Sequence, residues 1–217
     1  MKYILSILLF TLFLNSCNKK TVLLPETTNT DITEVLDVSP VYLFYDESQP
    51  NSTEFNHKNM ISTTNWLVNI DKRLTLKQIL PHLQYLQDKR HGDGMHKNES
   101  AKNYFTCSNT DIQNLAFIEF TDIYYEDNGK MKLPNEMRPK GDWHLLNIFS
   151  NEVFRLNDKI NLSIQNLIEN LKTEIELGEI LYLQFNENIN FQTYIQLKTE
   201  LLKTNALTIS NHELIYN

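Results

Sequence analysis

The sequence predicts an α+β protein, a two-layer sandwich in which a small sheet carries helices on one face. Three observations predict it. Residues 144–217 alternate short β-rich runs with amphipathic helical stretches, in the order β-β-α-β-α-β. Residues 39–126 repeat part of that alternation, which leaves open whether the chain holds two related units. Hydrophobic residues make up 41% and aromatic residues 11% of the chain, which is ample for a packed core and excludes disorder of the whole.

The C-terminal unit is the easier to divide. His144 to Phe149 and Glu152 to Leu156 are β-rich runs joined by Ser150-Asn151, a hairpin pattern. Ser163 stands where an N-cap would, before Ile164, Leu167, Ile168 and Leu171 at helical spacing. Gly178 closes that helix, and Ile180 to Phe185 reads as a strand. Asn190 opens a second helix through Phe191, Tyr194, Ile195, Leu201 and Leu202, with Asn205 as its C-cap. Ala206 to Ile209 and Glu213 to Tyr216 supply a closing strand or hairpin.

In the N-terminal unit, Val41 to Tyr45 and Trp66 to Ile70 are strand runs, and Leu115 to Phe120, continuing to Tyr125, is the next. Thr75-Leu76-Lys77-Gln78 has the form of a capping box before Ile79, Leu80 and Leu83. Pro81 falls in the second turn, so this helix is expected to kink or start late. Its cap and apolar positions, Leu74 to Leu83, align with Leu162 to Leu171, and an Asp-Lys pair precedes each. Any amphipathic helix with a hydroxyl cap has this look, so the alignment leaves duplication open. Residues 127–143 form a connector.

The start of the chain carries an address. Lys2 precedes an apolar run from Tyr3 to Leu14, too short to span a bilayer as a mature helix. Leu14-Asn15-Ser16-Cys17 is similar to the lipobox of bacterial lipoproteins, although Asn15 is an uncommon residue there. The resemblance implies a signal peptide over 1–16, a diacylglycerol on Cys17, and a new N-terminus at that cysteine. Each buried acyl methylene contributes about 0.8 kcal/mol, so several chains make a durable anchor. Residues 17–38 then read as the lipidated cysteine and a flexible tether, reaching about 25 Å as coil. Loss of Lys2 with the leader turns the net charge of −7 into −8. An acidic domain repels phosphate backbones, so nucleic acid is not an expected partner. Only Cys107 remains once Cys17 is acylated, which leaves no intramolecular disulfide. Asn18-Lys19-Lys20 has no acidic sorting run and favours a periplasm-facing lipoprotein in the cell envelope.

The C-terminal unit resembles the periplasmic domain of the ExbD/TolR family of biopolymer-transport proteins. The stretch runs from His144 to Asn217 and includes Phe154 to Lys159, the capped helix from Ser163, Ile180 to Phe185, Asn186 to Phe191, and Ala206 to Ile209. The resemblance implies the sheet with helices on one side and a role in binding an envelope component. Family members are held by a transmembrane helix whose aspartate couples to the proton gradient. Here the only apolar segment is a cleavable leader, so no such carboxylate carries over and a motor subunit is excluded. Gln184-Phe185-Asn186 also lacks the acidic residue the family often places after that strand.

Residues able to carry chemistry are few. His91-Gly92-Asp93-Gly94-Met95-His96 offers two imidazoles and a carboxylate, so His91, Asp93 and His96, with His82 or His57, are candidate ligands for Zn²⁺ or another divalent ion. The glycines make a solvated loop the simpler reading. There is no Gly-x-Ser-x-Gly turn and no phosphate loop. Cys107 with His144 could be drawn as a dyad, and Glu119 with Asp122 or Glu126 with Asp127 as an acid and base. None sits in a recognisable signature, and no cofactor motif is present. The expectation is a non-catalytic, lipid-anchored binding scaffold for a protein or cell-wall partner; the alternative is a metal-dependent hydrolase built on the His91 to His96 loop. Tyr42, Phe44, Tyr45, Trp66, Tyr124, Tyr125 and Trp143 are the remaining candidate site markers, most of them expected to be core on strand faces, with pairing of a partner to an edge strand as one binding mode.

Overall fold

The computed structural model describes residues 20–28, 31–92, 98–129, 134–138, 140–157, 160–204 and 207–217. Cys17 and the leader lie outside them, as do Asp93, His96 and Asn205. Among the described residues no helix is long and apolar enough to cross a membrane.

The elements are β1 (Glu26–Thr27), β2 (Val38–Tyr45), β3 (Thr53–Asn56), β4 (Asn65–Ile70), α1 (Leu76–His91), β5 (Asn103–Asn109), β6 (Asn114–Glu119) and β7 (Tyr124–Asp127). After these come β8 (Trp143–Ile148), β9 (Phe154–Leu156), β10 (Ile160–Leu162), α2 (Leu167–Glu174), β11 (Ile180–Asn186), α3 (Phe191–Leu202) and β12 (Thr208–Tyr216). They form two six-stranded mixed sheets. In one, β3-β2-β4-β5 is the central order, with β6 antiparallel to β5. In the other the order is β10-β9-β8-β11-β12-β7. The α+β sandwich expected from the sequence is the fold.

The two sheets share one topology. Each begins with a strand (β2 or β8) that folds back on an antiparallel neighbour (β3 or β9). A third strand (β4 or β11) then pairs parallel to the first on its other edge, and a helix (α1 or α3) returns the chain to a fourth parallel strand (β5 or β12). Register agrees as well: Val38 faces Asn65 and Leu43 faces Ile70, while Trp143 faces Ile180 and Ile148 faces Phe185. The helix equivalent to α1 is therefore α3. The sequence alignment paired α1 with α2, because a polar cap before an apolar stripe is generic. Aligned instead at their caps, Thr75 and Asn190, the two helices bury Leu76, Ile79, Leu80, Leu83 and Leu86 at the places of Phe191, Tyr194, Ile195, Lys198 and Leu201.

Both units feed one continuous core that takes in Val41, Ile70, Leu83, Phe105, Leu146, Phe185 and Ile195, fully buried. Phe105 of β5 stacks on Phe120 at 3.8 Å and meets Phe191 and Tyr194 of α3 edge-on. The opposite face of the second sheet holds a smaller cluster of Leu145, Tyr182 and Leu214, with Met137 and Trp143 packed against it.

Several boundaries differ from expectation. Ser163 does not cap α2; Asn166 stands at its N-cap, and Ser163 donates its backbone N–H to Asn166 Oδ1 in the preceding turn. Pro81 neither delays nor ends α1: it lies on the solvent side of an unbroken helix. Gln78 reaches back to accept the Thr75 N–H at 2.8 Å, as a capping box requires. The stretch from Leu115 to Tyr125 divides into β6 and β7 at Phe120–Ile123. The expected tether is partly docked. Ser108 donates to the Pro25 carbonyl, β1 pairs with β5, and the Leu23 N–H binds Asp71.

Candidate functional site

Helical spacing places Gln84, Gln87, Asp88 and His91 on one side of α1. Strand alternation on β7 sends Tyr125 into the core and leaves Tyr124 and Glu126 outward. Parallel pairing puts His212 of β12 directly beside Tyr124. These residues line a cleft of about 370 Å³ between the two units. Its volume is at the small end of ligand sites.

Tyr124 is the middle ring of three. His212 stacks on it at 5.3 Å and His91 lies 5.4 Å away on a 31° tilt. His212 donates from Nδ1 to Glu126 Oε1 at 2.5 Å, and His91 Nε2 bonds the Thr121 carbonyl at 3.0 Å. Two glutamines clasp the Tyr125 peptide: Gln84 Nε2 donates to its carbonyl at 3.1 Å, and Gln87 Oε1 accepts its N–H at 3.3 Å. This leaves Gln87 Nε2 buried without a protein acceptor, on a side chain that is 6% exposed. An unmet buried donor costs roughly 1–3 kcal/mol, and this one belongs to a residue that lines the cleft.

Beneath the cleft the Tyr125 hydroxyl meets that of Tyr194 at 3.0 Å. Tyr194 donates to Glu213 Oε2 at 2.9 Å, and Lys198 Nζ donates to Glu213 Oε1 at 2.5 Å. Glu213 is fully buried. Burial raises both phenols well above their usual range, and the nearby Glu213 charge adds to it, so they stay protonated as donors. The network joins β7, α3 and β12 and gives the cleft a rigid floor.

The candidates from the sequence separate. His91 lies in the cleft, whereas Asp93 and His96 are outside the described residues. His57 and His82 sit instead on Phe55, at 4.5 and 4.6 Å, with Tyr85. Burial and the neighbouring His57 lower the His82 pKa. Among the described residues no group of three or more His, Cys, Asp or Glu side chains could hold a metal. Cys107 and His144 do not meet as a dyad. Cys107 is enclosed in β5 with its thiol pushed up to about 12 by burial, while His144 bonds Glu179 and Asn157 in the other sheet. Glu119 pairs with Lys102, and Glu126 with His212.

Sequence reasoning marked His91, Tyr124, Tyr125 and Glu126 separately but missed Gln84, Gln87, Asp88 and His212 as their companions. The available signal was a polar stripe at positions 84, 87, 88 and 91 beside the leucine stripe of α1.

The fold and cleft together define a class, an α+β domain with an aromatic-lined cleft at the junction of two units of like topology. Compared with known proteins, the chain has no significant match to a family model, a curated protein or a solved structure.

Proposed function

We propose that the protein is a non-catalytic envelope lipoprotein, anchored by lipid on Cys17, that binds a protein or cell-wall partner in the cleft of Gln87, Tyr124 and His212. The observation that carries this reading is the unmet Gln87 donor beside a ring-lined cleft that is open to solvent. The leader over 1–16 followed by Cys17 supports the anchor, and Lys20, three residues on, pairs with Asp46 and Glu54. Docking of 20–28 on the domain would hold the cleft-bearing body near the bilayer rather than on a long leash. The β-β-α-β-α-β order of residues 144–217, with β10 added, suits a fold related to ExbD/TolR periplasmic domains that lacks their proton-coupling helix.

Acylation is tested in cells fed radiolabelled palmitate, followed by membrane fractionation. Wild-type chain takes up label and sediments with membranes; Cys17→Ala does neither. Unlabelled wild type, or Cys17→Ala still sedimenting with membranes, contradicts the anchor.

A further inference from the structure

Strand β2 carries apolar side chains on both faces, and only one face is buried. Ser39, Val41 and Leu43 point inward, whereas Val38, Pro40, Tyr42 and Phe44 point outward and stay partly exposed, Val38 at 41%. Parallel pairing sets Leu67 of β4 beside Pro40, and the Tyr42 and Phe44 rings stack at 5.5 Å. The outward side chains form a stripe about 20 Å long.

One end of the stripe lies at the root of the acyl anchor. Phe44 faces Glu54 across the β2–β3 ladder, and Lys20 bridges Glu54 and Asp46. Cys17 stands three residues before Lys20, a reach of about 10 Å at full extension. We propose that the stripe of Val38, Pro40, Tyr42 and Phe44 rests on the bilayer that the acyl chains enter; this rests on acylation of Cys17. The anchor brings a bilayer within reach of Phe44 in every copy, at an effective concentration that no freely diffusing partner shares. Apolar side chains gain by leaving water, and a tyrosine, apolar along its ring and polar at its hydroxyl, suits the headgroup boundary. The chain carries a net charge of −7, so the contact is apolar rather than an attraction to anionic lipid. Lys20 offsets the two carboxylates nearest the aromatic pair, which eases the approach of that end.

The test places a nitroxide on Val38→Cys, at the end of the stripe far from the anchor, in the acylated full chain reconstituted into phosphatidylcholine vesicles. Cys17 is blocked by its glyceride and Cys107 by burial, so the new thiol takes the label. Leu177→Cys, in the α2–β11 turn where Leu177 is 94% exposed, is the control. Collisions with oxygen, which concentrates in the bilayer, and with a water-soluble nickel chelate report depth. The label at position 38 should collide more with oxygen than with the chelate, and the label at 177 should show the reverse order. Phe44→Asp should return the label at 38 to water while intact mass still shows the acyl chains. A label at 38 as wet as that at 177, on acylated chain, would overturn this inference and leave the anchor standing. Dipolar broadening between labels at 38 would put a second copy on the stripe in place of lipid. Chain recovered without acyl mass would overturn the anchor and this inference with it.

Discussion

Thr75 and Asn190, the N-cap residues of α1 and α3, face each other as an isolated antiparallel bridge. The backbone around them exchanges hydrogen bonds reciprocally. Leu76 donates to Ile189 and Phe191 to Leu74, each at 2.8 Å; Lys77 donates to Glu187 and Gln192 to Lys72. Under the alignment that equates Thr75 with Asn190, each bond in a pair is the image of the other. Such isologous exchange is the hallmark of a two-fold interface between like subunits, here between the two halves of one chain. The free N–H groups at the start of each helix are satisfied by the other half's turn, which fixes how the units sit and so shapes the cleft between them.

The same alignment equates Asp71 with Asn186. Asp71 accepts the Arg73 N–H and Asn186 the Asn188 N–H, so both side chains tie the same turn. Burial opposes the Asp71 charge, but bonds from the Arg73 guanidinium and from the Arg73 and Leu23 N–H groups outweigh it and hold the carboxyl below the usual carboxylate range. Asp71→Ala should cost about 2–3 kcal/mol and Asp71→Asn about 1, measured by urea unfolding. Equal costs would contradict the shared role.

Leu83 of α1 is replaced in α3 by Lys198, whose partner is the buried Glu213. Lys198→Met alone should cost about 3–5 kcal/mol by leaving that carboxylate without its cation. Adding Glu213→Gln should recover about 2 kcal/mol, since the amide oxygen can still accept from Tyr194. Additive losses in the double-mutant cycle would show the two residues to be uncoupled.

Cys107 is a core residue and a poor nucleophile. Iodoacetamide should leave it unmodified in the folded protein at pH 8 and label it after denaturation, read by intact mass. Rapid labelling of native protein would refute its enclosure.

His82 has a folded-state pKa below its unfolded value of about 6.5, from burial and the neighbouring His57. The unfolded chain therefore binds the proton first. The stability tied to neutral His82 is complete above pH 6.5 and is lost as pH falls through that value toward the folded pKa. His82→Gln should flatten the decline in melting temperature between pH 7 and 5; an unchanged slope would remove His82 as its cause.

Much of the fold was legible where side chains alternate cleanly. Val41, Leu43, Trp66, Val68 and Ile70 announced β2 and β4, and Asn190 announced α3, since Thr193 does donate to its side chain at 2.8 Å. β5 was not legible, because Asn103, Thr106 and Asn109 are polar yet buried. Asn103 is held by Arg90, which lies over the Trp66 ring at 3.7 Å, a pairing across three elements that no local pattern carries. The cleft was hidden for a similar reason. His212 and His91 are far apart in sequence and flank Tyr124 only because β7 docks beside β12 and against α1.

Photo-cross-linking in intact cells tests the central claim most directly, that the cleft is where the protein meets its partner. A benzophenone amino acid at Tyr124 should trap an envelope component, and Asp88→Ala should reduce the yield, while the same probe at Ile112 on the β5–β6 turn should trap none. Equal cross-linking from both positions, or none from Tyr124, would contradict the account.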